Sequence, residues 1–142
     1  MLRALLLKWL SQRRSPIDRG TAGERWAERF LCQEHGFRLV TRNWRNPRDR
    51  REEIDLVMRD GAILVFVEVK TRSADALVPG YHAVNEHKRG IMRRAINAYL
   101  RGLAEPPRTH RFDIVEVAWP RADAAADPEI KHFANAALKR RH

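Results

Sequence analysis

The sequence predicts a single α/β domain, a central mixed sheet with flanking helices in the order α-β-β-β-α-β. Three observations predict it. Helical apolar stripes alternate with runs of strand-forming residues along the chain. Two of those runs, EIDLVM and AILVFVEVK, flank Asp60-Gly61, a dipeptide that favours tight hairpin turns. The chain has 142 residues and is 44% apolar, enough for one real core.

The first 19 residues read as a basic and apolar extension, and residues 20–142 as the domain. In MLRALLLKWLSQRRSP the apolar run is broken by Arg3 and Lys8. It is too short to cross a bilayer, so no stable membrane insertion is expected. It reads either as a frayed extension or as a short amphipathic helix, with Pro16 to Gly20 as a linker.

Thr21 to His35 then forms a helix on the stripe Trp26, Ala27, Phe30 and Leu31, stopped by Gly36. Phe37 to Asn43 is a strand, and Asn46 to Arg51 (NPRDRR) a basic loop. Glu53 to Met58 and Ala62 to Lys70 are the hairpin strands. Val84 to Leu100 is a long helix with Val84, Ile91, Met92, Ala95, Ile96 and Tyr99 on one side. Arg111 to Trp119 is a further strand, closed by Pro120. In the tail, Ile130, Phe133, Ala134, Ala137 and Leu138 match a helical stripe, with an extended segment as the alternative.

Charge narrows the partners. Lys plus Arg number 28 against 18 for Asp plus Glu, a formal +10. Such a surplus points to a polyanion, nucleic acid first and an anionic membrane second. Solubility alone is the bland alternative. The single Cys32 excludes an internal disulfide framework and a cysteine-rich zinc site. A reducing cytoplasm is the simplest compartment.

The hairpin strands are apolar nearly throughout, yet they carry Glu53, Asp55, Glu68 and Lys70. Side chains alternate along a strand. Glu53, Asp55 and Val57 therefore share a face of one strand, and Phe66, Glu68 and Lys70 a face of the next. A turn at Asp60-Gly61 pairs Arg59 with Ala62 and sets Asp55 diagonal to Glu68. A longer turn, with paired positions summing to 123, puts them directly opposite. The intermediate register would separate them, but it inverts which face is buried. Carboxylates converging on an apolar sheet repel, and Lys70 neutralises only part of that charge. Mg²⁺ or Mn²⁺ is the natural remaining partner. Two carboxylates with a lysine is how a metal-dependent phosphodiesterase site is built. Ordinary solvated charges at a strand end are the competing reading.

Arg72 follows Lys70 as a candidate phosphate contact. Lys88 lies on the apolar stripe of its helix, where it either snorkels or points at the carboxylates. Trp44 with Arg45, Arg48, Arg50 and Arg51 suits phosphate contact and base stacking, or is a solvated basic loop. Arg89, Arg93, Arg94 and Arg101 extend the same basic footprint along the long helix.

GERWAERFL, EIDLV, FVEVKTR, the helix carrying Lys88, and RFDIVEV together resemble the YraN-like family of predicted endonucleases. That family belongs to the restriction-endonuclease-like superfamily, with the site pattern PD-(D/E)xK, and is similar to Holliday-junction resolvases. The resemblance runs from about Gly20 to the tail. It implies a restriction-endonuclease-like fold with Asp55, Glu68 and Lys70 as the acidic-acidic-lysine site and Glu24 as a further metal ligand from the first helix. From the residues alone, Thr21-x-x-Glu24 is also a capping box. One departure stands out: the family has Gly before Glu-Ile-Asp, where this chain has Glu52.

The expected function is therefore nucleic-acid binding with metal-dependent endonuclease activity on structured or branched DNA. DNA is expected before RNA, and a homodimer would suit a symmetric junction. The alternatives are an inactive DNA- or RNA-binding module of the same fold, and a membrane-peripheral adaptor using the N-terminal segment.

Overall fold

The structure is a computed structural model that describes residues 16–73, 84–120 and 126–138. The expected N-terminal extension lies largely outside the described residues. Helix α1 spans Pro16–His35. Proline is well suited to a first helical turn, where its missing N–H would have no partner. The stretch expected to be a linker, Pro16 to Gly20, is thus the first part of this helix. It ends at Gly36, whose φ of 70° an ordinary side chain would resist.

Five strands follow: β1 (Arg38–Asn46), β2 (Asp49–Asp60), β3 (Ile63–Ser73), β4 (His110–Trp119) and β5 (Glu129–Phe133), with α2 (Glu86–Arg101) between β3 and β4. They form one mixed sheet in the order β1-β2-β3-β4-β5. Only β3 and β4 are parallel, joined by the α2 crossover. This is the α-β-β-β-α-β arrangement the sequence predicts, with one more strand at its edge.

That strand corrects the helical reading of the tail. Ile130 and Phe133 are three residues apart, which fits one helix face. In the structure they lie on β5, where Ile130 pairs with Val117 and Phe133 with Ile114. The chain then turns through Asn135 (φ 54°), and the Ala136 N–H donates to the Phe112 carbonyl at 2.7 Å.

The basic loop is also mostly strand. Asn46 pairs with Asp49 across a tight turn at Pro47-Arg48. In the β2–β3 hairpin Asp60 pairs with Ile63, so the turn is Gly61-Ala62. Gly61 at its first position has φ 59°, which a primed hairpin turn needs there. The chain therefore uses the register that brings Asp55 level with Glu68.

Each sheet face buries one core. On one face Ala27 and Leu31 of α1 pack with Leu56, Met58, Val65 and Val115. On the other face Met92, Ala95 and Ile96 of α2 pack with Val57, Phe66 and Ile114. Val57, Phe66 and Ile114 face α2, and alternation carries Glu68 and Lys70 to that side. On β2, Ile54 also packs on the α2 side while Leu56 packs on the α1 side, so the facing changes at Asp55.

Candidate active site

The β2–β3 ladder ends at Leu56↔Val67, and the next pair would be Asp55 with Glu68. There the Asp55 carboxylate takes the place of backbone: the Val69 N–H donates to its Oδ2 at 2.8 Å. Glu68 is 4% exposed. Its Oε1 receives two ammonium groups, Lys70 Nζ and Lys88 Nζ, each at 3.5 Å. Its Oε2 is buried with no hydrogen-bond partner. A buried carboxylate oxygen left this way is costly.

Lys88 reaches Glu68 from the first turn of α2. Asn85 caps that helix by accepting from the Lys88 N–H at 2.9 Å. A cation in a first turn opposes the helix dipole, so Lys88 gains its place from Glu68 rather than from the helix.

Glu24 comes from α1. The helix begins at Pro16, so Thr21 is an interior residue and the capping-box reading does not hold. Glu24 instead hydrogen-bonds with the Asn43 side chain and lies near enough to Glu53 and Glu68 to be repelled by both. Burial raises its carboxyl first; Asn43 opposes the rise and the two glutamates add to it. Gly23 brings α1 this close. A Cβ there would lie 2.3 Å from Thr71 Oγ1 on β3.

Asn43 has φ 49°, a left-handed conformation that asparagine tolerates well. The strand changes facing there. Arg42 meets Glu28 of α1, while Trp44 stacks edge-to-face on Tyr99 of α2 at 5.3 Å. Asn43, between them, serves Glu24.

Burial and the Glu68 charge together push the Asp55 carboxyl well above its usual range. The Val69 N–H and Lys88 pull the other way, and Glu24 adds to the rise. Several acids around one point, each disfavouring ionisation of the next, form an electrostatic site in want of positive charge. Among the described residues no three His, Cys, Asp or Glu side chains are already gathered closely enough to cage an ion.

The structure thus brings Asp55, Glu68, Lys70, Glu24 and Lys88 to one place. Other candidates lie elsewhere. Arg72 pairs with Glu116, which is fully buried on the neighbouring strand β4. Trp44 packs on the core rather than in an open loop. Arg48 and Arg50 are exposed at the β1–β2 turn. Arg51 is exposed too, but holds Asp49 at 2.9 Å. On α2, Arg89 and Arg93 grip the carbonyls of Ala137 and Leu138 and so fasten the tail. Glu52, the departure from the resembling family, is buried between Asn46 (2.8 Å) and Arg94 (3.6 Å).

Sequence reasoning missed Asn43, Gly23 and Glu116. An asparagine inside a strand-forming run is a weak signal of left-handed backbone. The other two depend on contacts between elements far apart in the chain.

Fold and site together define an α/β protein of restriction-endonuclease-like architecture. Residues 23–117 match the uncharacterised protein family UPF0102. The chain belongs to that family, the YraN-like, endonuclease-like group. It is 42% identical over 101 residues to a UPF0102 protein of Koribacter versatilis, covering 71% of this chain and 68% of the relative. A UPF0102 protein of Symbiobacterium thermophilum is 43% identical over 98 residues, covering 69% and 80%. One of Beutenbergia cavernae is 45% identical over 106 residues, covering 75% and 86%. No helix among the described residues is long and apolar enough to cross a membrane.

Proposed function

We propose that this protein is a divalent-metal-dependent endonuclease acting on structured or branched DNA. The observation that carries the reading is the buried Glu68 carboxylate level with Asp55, one oxygen unpartnered and the other shared by two lysines. Oxygen donors of this kind suit Mg²⁺ or Mn²⁺. Asp55, Glu68 and Glu24 would hold the ion. Bound there, it would supply a water of lowered pKa and positive charge for the phosphate.

The chain's own groups do the rest. The Val69 N–H holds the Asp55 carboxylate through Oδ2. Lys70 and Lys88 are each about a quarter to a third exposed (30% and 27%), so their ammonium groups can leave Glu68 for an incoming phosphate. Asn43 restrains Glu24 through its side-chain hydrogen bond. The fold rigidly supports this set, because each member stands on a strand or helix and none on a loop.

The test is a cleavage assay on linear, flapped and four-way DNA, with Mg²⁺, with Mn²⁺ and with chelator. Wild type should cut only with metal, and Asp55→Ala should bind but not cut. Wild type that binds these substrates and cuts none with either metal makes the protein a binding module of the same fold.

A further inference from the structure

A groove of about 620 Å³ lies along α1 on the side facing β1. One end opens on Glu24 and Asn43, at the edge of the carboxylate site. Its α1 wall carries Thr21, Arg25 and Arg29, and its β1 wall Arg42. We propose that this groove seats a single nucleic-acid strand and leads it to the carboxylates. The inference rests on the nuclease reading above and adds the path and form of the substrate.

The α1 wall is a ladder. Thr21, Arg25 and Arg29 recur every fourth residue, so their donors step along the helix by about 6 Å. That spacing suits successive phosphates of an extended strand. Arg25 and Arg29 have no carboxylate partner among the described residues; Arg29 only lies over the Trp26 ring at 5.2 Å. Two acidic residues line the groove: Glu24, at the end shared with the carboxylate site, and Glu28, which is already occupied. Arg42 grips both its oxygens, Nε to Oε1 at 2.7 Å and Nη2 to Oε2 at 3.0 Å. With Arg42 and Glu28 paired, Arg25 and Arg29 outnumber Glu24 and leave the groove net positive. A volume of this size holds a nucleotide unit or two and excludes a duplex. A flap or an unpaired junction arm is the matching substrate form.

The chain's single thiol, Cys32, lines the same groove. It is partly exposed, and burial raises its pKa first, with Glu28 adding to that. It therefore reports occupancy without any engineered label.

The experiment measures binding of labelled oligothymidylate across a salt series for wild type and Arg25→Ala/Arg29→Ala. Both side chains are exposed, so the fold should survive, which the melting temperature checks. The slope of log K against log salt should fall by roughly 1.4, two single-strand phosphate contacts. Blunt duplex binding should change less. Bound oligothymidylate should also slow alkylation of Cys32 by maleimide several-fold in wild type. If wild type binds the strand, but the double variant keeps its slope and Cys32 stays equally reactive, the groove inference fails alone. Metal-dependent cleavage by that same protein would leave the nuclease reading standing. Wild type that binds no nucleic acid overturns both.

Discussion

The backbone N–H of Val69 donates to Oδ2 of Asp55 at 2.8 Å, at the point where β2 and β3 stop pairing. The side chain of one strand thus completes the hydrogen bonding of the next. This contact holds an acid in a place that burial and Glu68 make unfavourable for its charge.

The first prediction follows from that conflict. The folded-state pKa of Asp55 lies above its ordinary value, so the folded chain holds this proton more tightly than the unfolded one. The stability it contributes is present at low pH and lost as pH climbs from about 4 through the raised value. Asp55→Asn keeps an acceptor for Val69 and removes the charge. In metal-free buffer at pH 7 it should stabilise the fold by roughly 1–2 kcal/mol. The gain should vanish below about pH 4. Thermal melts of both proteins across pH check this.

Gly23→Ala should destabilise the fold by about 1–3 kcal/mol, since its methyl would meet Thr71 Oγ1 at 2.3 Å. It should also reduce cleavage by displacing Glu24. Thr71→Ala removes the obstructing oxygen, so the double variant should recover most of the melting temperature. Failure of that rescue would show that α1 and β3 do not meet as described.

Asp113 is fully buried and held by Arg111 at 2.9 Å, His132 at 2.7 Å and the Asn135 N–H at 2.9 Å. Burial alone would raise its pKa, but these bonds outweigh it and hold the carboxyl below its usual range. Its stabilisation is therefore present above about pH 4 and lost as pH falls through the lowered value. Asp113→Ala should cost about 3–5 kcal/mol at pH 7. Its acid unfolding should be less steep than that of wild type, which urea titrations at several pH values would show.

How much of this is legible in the sequence depends on range. Strand alternation is enough to place Phe66, Glu68 and Lys70 together, but not Asp55: Ile54 and Leu56 pack on opposite faces of the sheet, a change of facing that the residue pattern does not announce. The turn position is not legible, since Asp60-Gly61 and Gly61-Ala62 both put glycine in a hairpin loop. The end of β1 and the start of β2 are hidden because RNWRNPRDRR lacks an apolar alternation; its strands lie toward an edge and need none. β5 resembles a helix turn because a five-residue strand offers too few positions to separate period 2 from period 3.6. Arg72 reads as a phosphate contact because its partner Glu116 lies 44 residues on.

Replacing Arg48, Arg50 and Arg51 together tests the basic turn. All three are exposed, so stability should change little. If they neutralise duplex phosphates, the slope of log K against log salt should shrink by about 0.9 for each phosphate left without its arginine. An unchanged slope would assign the basic surplus at this turn to solubility.

The most direct measurement is a calorimetric titration of Mn²⁺ into metal-free wild type, Asp55→Asn, Glu68→Gln and Glu24→Gln. The account predicts saturable binding to wild type, abolished in the first two variants and weakened in the third. It also predicts that saturating metal raises the melting temperature of wild type but not of Asp55→Asn or Glu68→Gln, about 2.7 kcal/mol of stabilisation at a hundredfold excess over Kd. Equal binding by all four proteins, or no binding by wild type at millimolar Mn²⁺, would contradict a metal site built from these carboxylates.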